Sequence, residues 1–472
     1  MKRIFWLFPL MLLFYCSNVD LSENNITSAQ KATPQDQVAE IFNLKQVPII
    51  TVEVSLDQWN KILTNYDLNP ANDKKVVSKF TFSVGGRTTV IDSVGLRLKG
   101  NTSRRRPEGD TGLLHDAVNP DWHHCHFGLD FSKYRNGQNF KGLDKLNLKW
   151  FKDDAAYCRE IYSYDLFRRF GCIAPAASYC RLYIKVQGDA QPAYYGVYAM
   201  VENIDEVFIA KNKTKWGDGV GFLWKGGWSG SNNANFVSTE SIGVEDVNIN
   251  PALSAYYAYD LKTRKSELAS AKTELLQFIS DLNTRTGADF ENWIAQKMDV
   301  PLFLKTYAVN VAVGMWDDYW VNGNNFYFYF SPNGKAYFIP YDYDNTLGTS
   351  QIVANSGTQN PLSWGNMSQR PLITKVLAIP QYQQLYKSYL TELVNANKDY
   401  FHVNKSMPRI QSWQNMILPY VNNDTGEDML IEDKPASWGN QPNYRLLSGN
   451  PFGGNIGPAN FFSSKRTSFN WP

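Results

Sequence analysis

The spacing of apolar residues changes period near the middle of the chain. The first half alternates, as half-buried strands do. Val94-Gly-Leu-Arg-Leu-Lys99 puts Leu96 and Leu98 on one face and Arg97 and Lys99 on the other. Phe127, Leu129 and Phe131 share a face, as do Leu146, Leu148 and Trp150 opposite Lys145, Asn147 and Lys149. Val47–Val54 is β-branched, Phe80–Val84 turns through Gly85-Gly86, and Arg181–Val186 with Tyr194–Val201 reads as a hairpin. Helices are predicted over Ser55–Tyr66 and over Asp153–Phe170, where Gly171 is the stop. From Leu268 the period is helical: Leu268, Ala271, Leu275, Ile279 and Leu282 form one stripe. Val300–Met315, 372–395 and 400–418 continue the helical pattern. One hairpin interrupts it, Asn325–Phe330 and Lys335–Pro340 around Ser-Pro-Asn-Gly.

These patterns predict an α+β protein with a β-rich N-terminal lobe over 46–212 and a helix-rich C-terminal lobe over 261–432. Residues 213–260, dense in Gly, Trp, Ser and Asn, read as a long inter-lobe loop. The Asn-, Gly-, Pro- and Ser-rich tail, 433–472, is expected to run over the surface, and the polar stretch 17–45 to act as a tether.

Residues 1–16 read as a signal peptide: Lys2 and Arg3 precede a short apolar run that ends at Cys16. That run is shorter than the ~20 residues of a membrane-spanning helix. A cysteine at this place resembles a lipobox, so an exported periplasmic or cell-surface protein is expected, lipid-anchored through Cys16 or otherwise secreted. Oxidising surroundings would permit disulfides among Cys125, Cys158, Cys172 and Cys180, in pairings the sequence leaves open.

Composition narrows the function classes. Lys plus Arg number 47 and Asp plus Glu 45, so the chain lacks the pervasive basic field of a generic nucleic-acid binder. His115, His123, His124 and His126 surround Cys125 but lack a second spaced ligand pair, which favours ordinary strand and loop residues over a zinc site. Gly100-Asn-Thr-Ser-Arg-Arg-Arg106 would suit phosphate or be a solvated turn, and Lys225 reads more readily as an exposed loop lysine than as a phosphate ligand.

The densest chemistry flanks the late hairpin. Trp316-Asp-Asp-Tyr-Trp-Val-Asn-Gly-Asn-Asn325 precedes it, and Tyr341-Asp-Tyr-Asp344 follows. Asp342 and Asp344 alternate, so in extended chain both carboxylates leave one face. With Asp317, Asp318, Asn322, Asn324 and Asn325 they offer hard oxygen ligands suited to Mg²⁺ or Mn²⁺.

Four ordered blocks resemble the CotH kinase-like family, the spore-coat protein H type of atypical kinase. They are Gly95–Arg104; Phe140–Lys149 with Asp154 and Arg159-Glu160; Tyr195–Glu202; and the Asp/Asn segment with Tyr341–Asp344. The resemblance spans about residues 46–420. It implies a bilobal, kinase-like fold and transfer of the ATP γ-phosphate to protein Ser or Thr, with Mg²⁺ or Mn²⁺. It further implies Asp342 as chief metal ligand, Asp344 in support, Asn325 as second metal ligand, and Asp317 or Asp318 orienting the acceptor hydroxyl. Lys99 and Arg104 would hold phosphates, Lys149 would join the nucleotide-binding set, and Glu202 would pair with a cation or reach the nucleotide. No His-Arg-Asp, Walker A or G-x-G-x-x-G motif is present. Asp318 and Asn325 are spaced more widely than in the family pattern, which makes Asn322 and Asn324 alternative ligands.

The partners expected are a protein substrate and a nucleotide, with no nucleic acid, membrane contact only through the N-terminal anchor, and a monomeric chain. The competing readings are a non-catalytic surface lipoprotein that binds a glycan or protein through exposed aromatics, and a glycoside hydrolase with a carboxylate pair.

Overall fold

In the computed structural model, residues 34–101, 103–152, 154, 156–349, 356–421 and 458–469 are described. Seven strands close a barrel: β1 (Ile49–Val54), β2 (Val76–Val84), β3 (Arg87–Lys99), β4 (His126–Asp130), β5 (Lys145–Lys149), β6 (Ala177–Val186) and β7 (Ala193–Glu202). Their order is β1-β2-β3-β4-β5-β7-β6, and parallel pairing of β1 with β6 shuts the ring. The alternation seen in the sequence fills the interior with Val52, Phe80, Leu96, Leu98, Phe127 and Leu148.

β6 and β7 form a shared wall. Ala193 and Tyr195 belong to the barrel core, and so do Tyr198 and Met200. Val197, Ala199 and Val201 belong to the core of the helical half. The phase flips at Gly196 (φ +87), where pairing shifts between Leu182 and Tyr183. One inserted residue thus lets a single strand serve two cores.

The second sheet holds β8 (Phe222–Gly226), β11 (Ile242–Gly243), β12 (Tyr259–Leu261), β13 (Phe326–Phe330) and β14 (Ala336–Pro340), in the order β11-β12-β8-β13-β14. A ribbon of β9 (Trp228–Ser229) and β10 (Asn232–Asn233) stands beside it. In Phe-Tyr-Phe-Tyr-Phe of β13, Phe326, Phe328 and Phe330 join the large helical core, and Tyr327 and Tyr329 join a smaller core with Trp216 and Ile339.

The helices are α1 (Pro34–Ile41), α2 (Leu56–Leu68), α3 (Arg159–Arg169), α4 (Glu206–Lys211), α5 (Lys213–Trp216), α6 (Leu268–Thr284), α7 (Gly287–Lys297), α8 (Val300–Val313), α9 (Tyr319–Asn322), α10 (Pro371–Leu377), α11 (Pro380–Leu393), α12 (Val403–Val421) and α13 (Pro458–Ser468). α8 is the hub. It is apolar nearly all round and almost wholly buried, as a central helix must be. Asp299 caps its start by accepting from Leu302 N–H (3.1 Å), and Gly314 (φ +67) ends it.

Several expectations give way. The stretch read as a tether to residue 45 is helical from Pro34, and Val38, Ile41 and Phe42 bury one face in the barrel core. The segment 213–260 is not a loop. β8 lies at the centre of the second sheet, so Lys225 is a strand residue. α3 begins at Arg159, later than the predicted Asp153, and 372–395 is two helices meeting before Pro380. The tail leaves the surface at α13: Phe461, Phe462 and Phe469 are buried, and a Cβ on Gly314 would come within 2.5 Å of the Phe461 ring. Residues 433–457 and the signal segment with Cys16 lie outside the described residues. Cys125, Cys158, Cys172 and Cys180 are buried and not joined to one another by disulfides. Two sit in the barrel core and two in the helical core. Burial pushes the Cys172 thiol up to about 12, which leaves it unreactive. No helix among the described residues is long and apolar enough to cross a membrane.

Candidate active site

Lys149, the last residue of β5, meets three carboxylates. The first comes from α3. Asp154 accepts the N–H groups of Ala156 (3.0 Å), Cys158 (2.8 Å) and Arg159 (2.7 Å), and also the Arg159 guanidinium (2.5 Å). That single carboxylate satisfies the orphan donors of the first turn and fixes where α3 starts. Glu160, in the same turn, then places Oε2 2.6 Å from Lys149 Nζ. The other two carboxylates follow β14. Asp342 adopts a left-handed conformation (φ +63), tolerated best by Gly, Asn and Asp, and its N–H donates to Tyr164 Oη of α3 (2.9 Å). Its Oδ1 lies 2.5 Å from Lys149 Nζ, and Asp344 Oδ2 lies 3.3 Å away. One oxygen each from Glu160, Asp342 and Asp344 falls within 4.8 Å of the others.

The charges are unbalanced, with three carboxylates around one ammonium. Burial opposes the charge on Lys149, yet Asp342, Asp344 and Glu160 outweigh it and hold its pKa well above the usual lysine range. Burial likewise works against Asp342, but Lys149, then Lys99 and Lys225, bring it down to about 2. Burial pushes Glu160 up, aided by Asp342 and resisted by Lys149.

A second carboxylate group lies in the turn before β13. Asp317 accepts from three side-chain amides: Asn322 (2.8 Å), Asn324 (3.2 Å) and Asn325 (2.9 Å). Asn325, left-handed at φ +52, also donates to the Asp317 carbonyl (3.0 Å), and among the described residues its own amide oxygen accepts nothing. Burial pushes Asp317 up, and the negative charge of Asp342 adds to that push against the amides. Asp318 does different work. It is buried, caps α9 through Val321 N–H (2.8 Å), and accepts from Asn310 of α8 (2.6 Å). Burial lifts it to about 7. The adjacent pair thus divides: Asp318 builds the turn, and Asp317 senses the Lys149 cluster.

Of the other residues named from the sequence, Lys99 ends β3 and donates to Tyr341 Oη (3.0 Å). Arg104 is occupied by the Gly100, Pro70 and Asn72 carbonyls and by Asp73, so it pins loops together. Glu202 is buried, paired with Lys211 and accepting Ala176 N–H (3.0 Å). The histidines take separate partners. His115 lies between Glu108 (2.9 Å) and Asp189 (2.8 Å), His123 is beside Asp121, His124 stacks on Trp150, and His126 accepts Trp150 N–H (3.0 Å). No zinc set forms from them. Glu160 had no assigned role in the sequence reading. Its one signal was the Arg159-Glu160 pair within the second block.

The CotH kinase protein family matches residues 97–445, which is most of the chain, and the protein belongs to that family. It is 24% identical to the inner spore coat protein H of Bacillus subtilis over 285 residues, 60% of this chain and 70% of that protein. It is 24% identical over 392 residues to invasin CotH3 of Rhizopus delemar and 23% identical over 374 residues to invasin CotH2 of the same organism. These matches take in 81% and 77% of this chain but only 57% and 55% of the invasins.

Proposed function

We propose that the protein is an exported atypical kinase that transfers the ATP γ-phosphate to protein Ser or Thr, on a bilobal kinase-like fold with the barrel as one lobe. One observation carries this reading: Lys149 joins Glu160 at the head of α3 to Asp342 after β14. A protein kinase needs such a lysine–glutamate pair and such a metal-binding aspartate together. The donor set fits a divalent cation, because three hard carboxylate oxygens already converge on a positive charge. Asp342 and Asp344 would hold Mg²⁺ or Mn²⁺, with Asn325 on a second ion. The metal would neutralise charge on the transferring phosphate. Lys149, released from part of its carboxylate shell, would hold the nucleotide phosphates with Lys99. Asp317 would accept the proton of the acceptor hydroxyl as its oxygen attacks phosphorus and ADP leaves. Its burial and the neighbouring negative charge raise its basicity, which suits that task. The relatives' names, a spore coat protein and invasins, support a location outside the cytoplasm, lipid-anchored through Cys16 or secreted. A second reading, a non-catalytic binder of glycan or protein, draws support from Trp228, which is 60% exposed.

The test uses the purified chain, ATP with a radiolabelled γ-phosphate, and Mg²⁺ or Mn²⁺. Label should pass to the protein or an added substrate and vanish with Asp342→Ala. Absence of both label and any nucleotide-induced thermal shift would refute the kinase reading in favour of the binder.

A further inference from the structure

The geometry points to Lys225 as a further polyphosphate-binding cation, beyond Lys149 and Lys99. It would act with Lys99 across the cleft to clamp a nucleoside triphosphate between the barrel and the second sheet. This inference rests on the phosphotransferase reading.

Lys225 lies within β8, opposite Tyr327 of β13 and Asp260 of β12. Its ammonium stands 5.2 Å from the centroid of the Tyr341 ring. The Lys99 ammonium, from the barrel strand β3, stands 5.7 Å from the same centroid. Two cations from two different sheets therefore converge on one side chain, and that side chain immediately precedes Asp342.

Neither cation is in direct ion-pair contact with a described residue. Among the described residues, no carboxylate lies within ion-pair distance of Lys99 or Lys225, whereas Lys149 has three. Burial lowers Lys225 and the nearby charge of Lys262 lowers it further, against the charges of Glu245, Asp342 and Asp260. Lys262 is itself held by Asp260 and Glu245. Burial, Arg97 and Lys225 bring Lys99 down to about 7. Arg97 in turn is held by Asp73. A ring face attracts a cation but leaves its charge unbalanced. Two half-buried ammoniums that repel each other are relieved by an anion with several charges, and a polyphosphate beside the metal carboxylates meets that need. Because the lysines belong to separate sheets, an anion touching both would tie the sheets together.

Calorimetry on the full chain, with ATP and with inorganic tripolyphosphate as separate probes, tests the clamp. Lys225→Gln should weaken both about tenfold to a hundredfold, and Lys225→Arg should recover most of the loss. Adenosine binding should not change. In the unsubstituted protein, tripolyphosphate should shield the Lys225 amine from acetylation, read by mass spectrometry, which answers the question even where Lys225→Gln fails to fold. ATP binding within twofold of the original in a folded Lys225→Gln, or no shielding, would overturn the clamp and leave the kinase reading standing. Tripolyphosphate binding that depends on Lys225, without ATP binding, would uphold the anion site and overturn the kinase reading.

Discussion

Two ionic clusters in this molecule each gather carboxylates around one nitrogen-bearing side chain, and they differ in how those carboxylates are arranged. At one, His115 sits between Glu108 and Asp189 with its side chain only 1% exposed. Glu108 also accepts the Trp59 indole N–H (2.7 Å), and Asp189 accepts Val186 N–H (3.0 Å). Protein donors meet each carboxylate, so the cluster holds the 108–115 loop to the barrel. At the other, Lys149 faces Glu160, Asp342 and Asp344 together. Ion pairing does not separate the two clusters. Convergence does: Glu108 and Asp189 sit on opposite nitrogens of the imidazole, whereas Glu160, Asp342 and Asp344 bring one oxygen each within 4.8 Å of the others, as a cation would need.

The largest effect that would sharpen this contrast comes from Lys149→Met. Removing the one cation from three carboxylates should end phosphotransfer and cost about 3–5 kcal/mol of stability. Mn²⁺ should then raise the melting temperature more in the variant than in the original protein, read by thermal denaturation. An equal response would break the comparison. Next, Asp317→Asn should lower phosphotransfer about 10²–10⁴-fold, with nucleotide affinity and melting temperature held. A parallel loss of affinity would reassign Asp317 to nucleotide or metal binding. His115→Gln should cost about 1–3 kcal/mol in denaturant unfolding and leave nucleotide affinity untouched, since carboxylates on opposite sides of the ring have only stability to lose. The smallest effect is in pH. Asp318 rises on folding from 3.8 to about 7, so the folded state favours its protonated form. Its contribution to stability therefore falls as pH climbs from about 4 to about 7 and is level above that. Asp318→Asn should flatten that part of the stability profile, and an unchanged slope would show that the carboxylate is not desolvated.

What the sequence made legible was mostly local. Period-two alternation identified β3, β4 and β5, and a hairpin signal placed β13 and β14 within a residue or two. The alternation of Asp342 with Asp344 assumed extended chain; Asp342 is instead left-handed (φ +63), and both carboxylates reach Lys149. Glu160 was hidden because its role depends on the start of α3, which Asp154, six residues earlier, fixes by hydrogen bonds that the helical pattern does not reveal. Lys225 was hidden because a Gly-, Ser- and Asn-rich neighbourhood masked a five-residue strand. Its centrality comes from β12 and β13, far along the chain. Asp317 and Asp318 could not be told apart by type, and only the packing of Asn310 against one of them made the distinction.

α13 bears on where the folded unit ends. The family match stops at residue 445, before Pro458. Yet Phe461 closes over Gly314, three residues ahead of Asp317, and Phe462 packs on Phe401 (4.6 Å between ring centroids) and Tyr162. A chain trimmed to the family boundary would present that aromatic hollow to solvent, and exposed apolar surface of this kind favours self-association. Soluble yield after trimming would then report on the seating of α13 behind the turn that holds Asp317, in a part of the chain that the family signature does not reach.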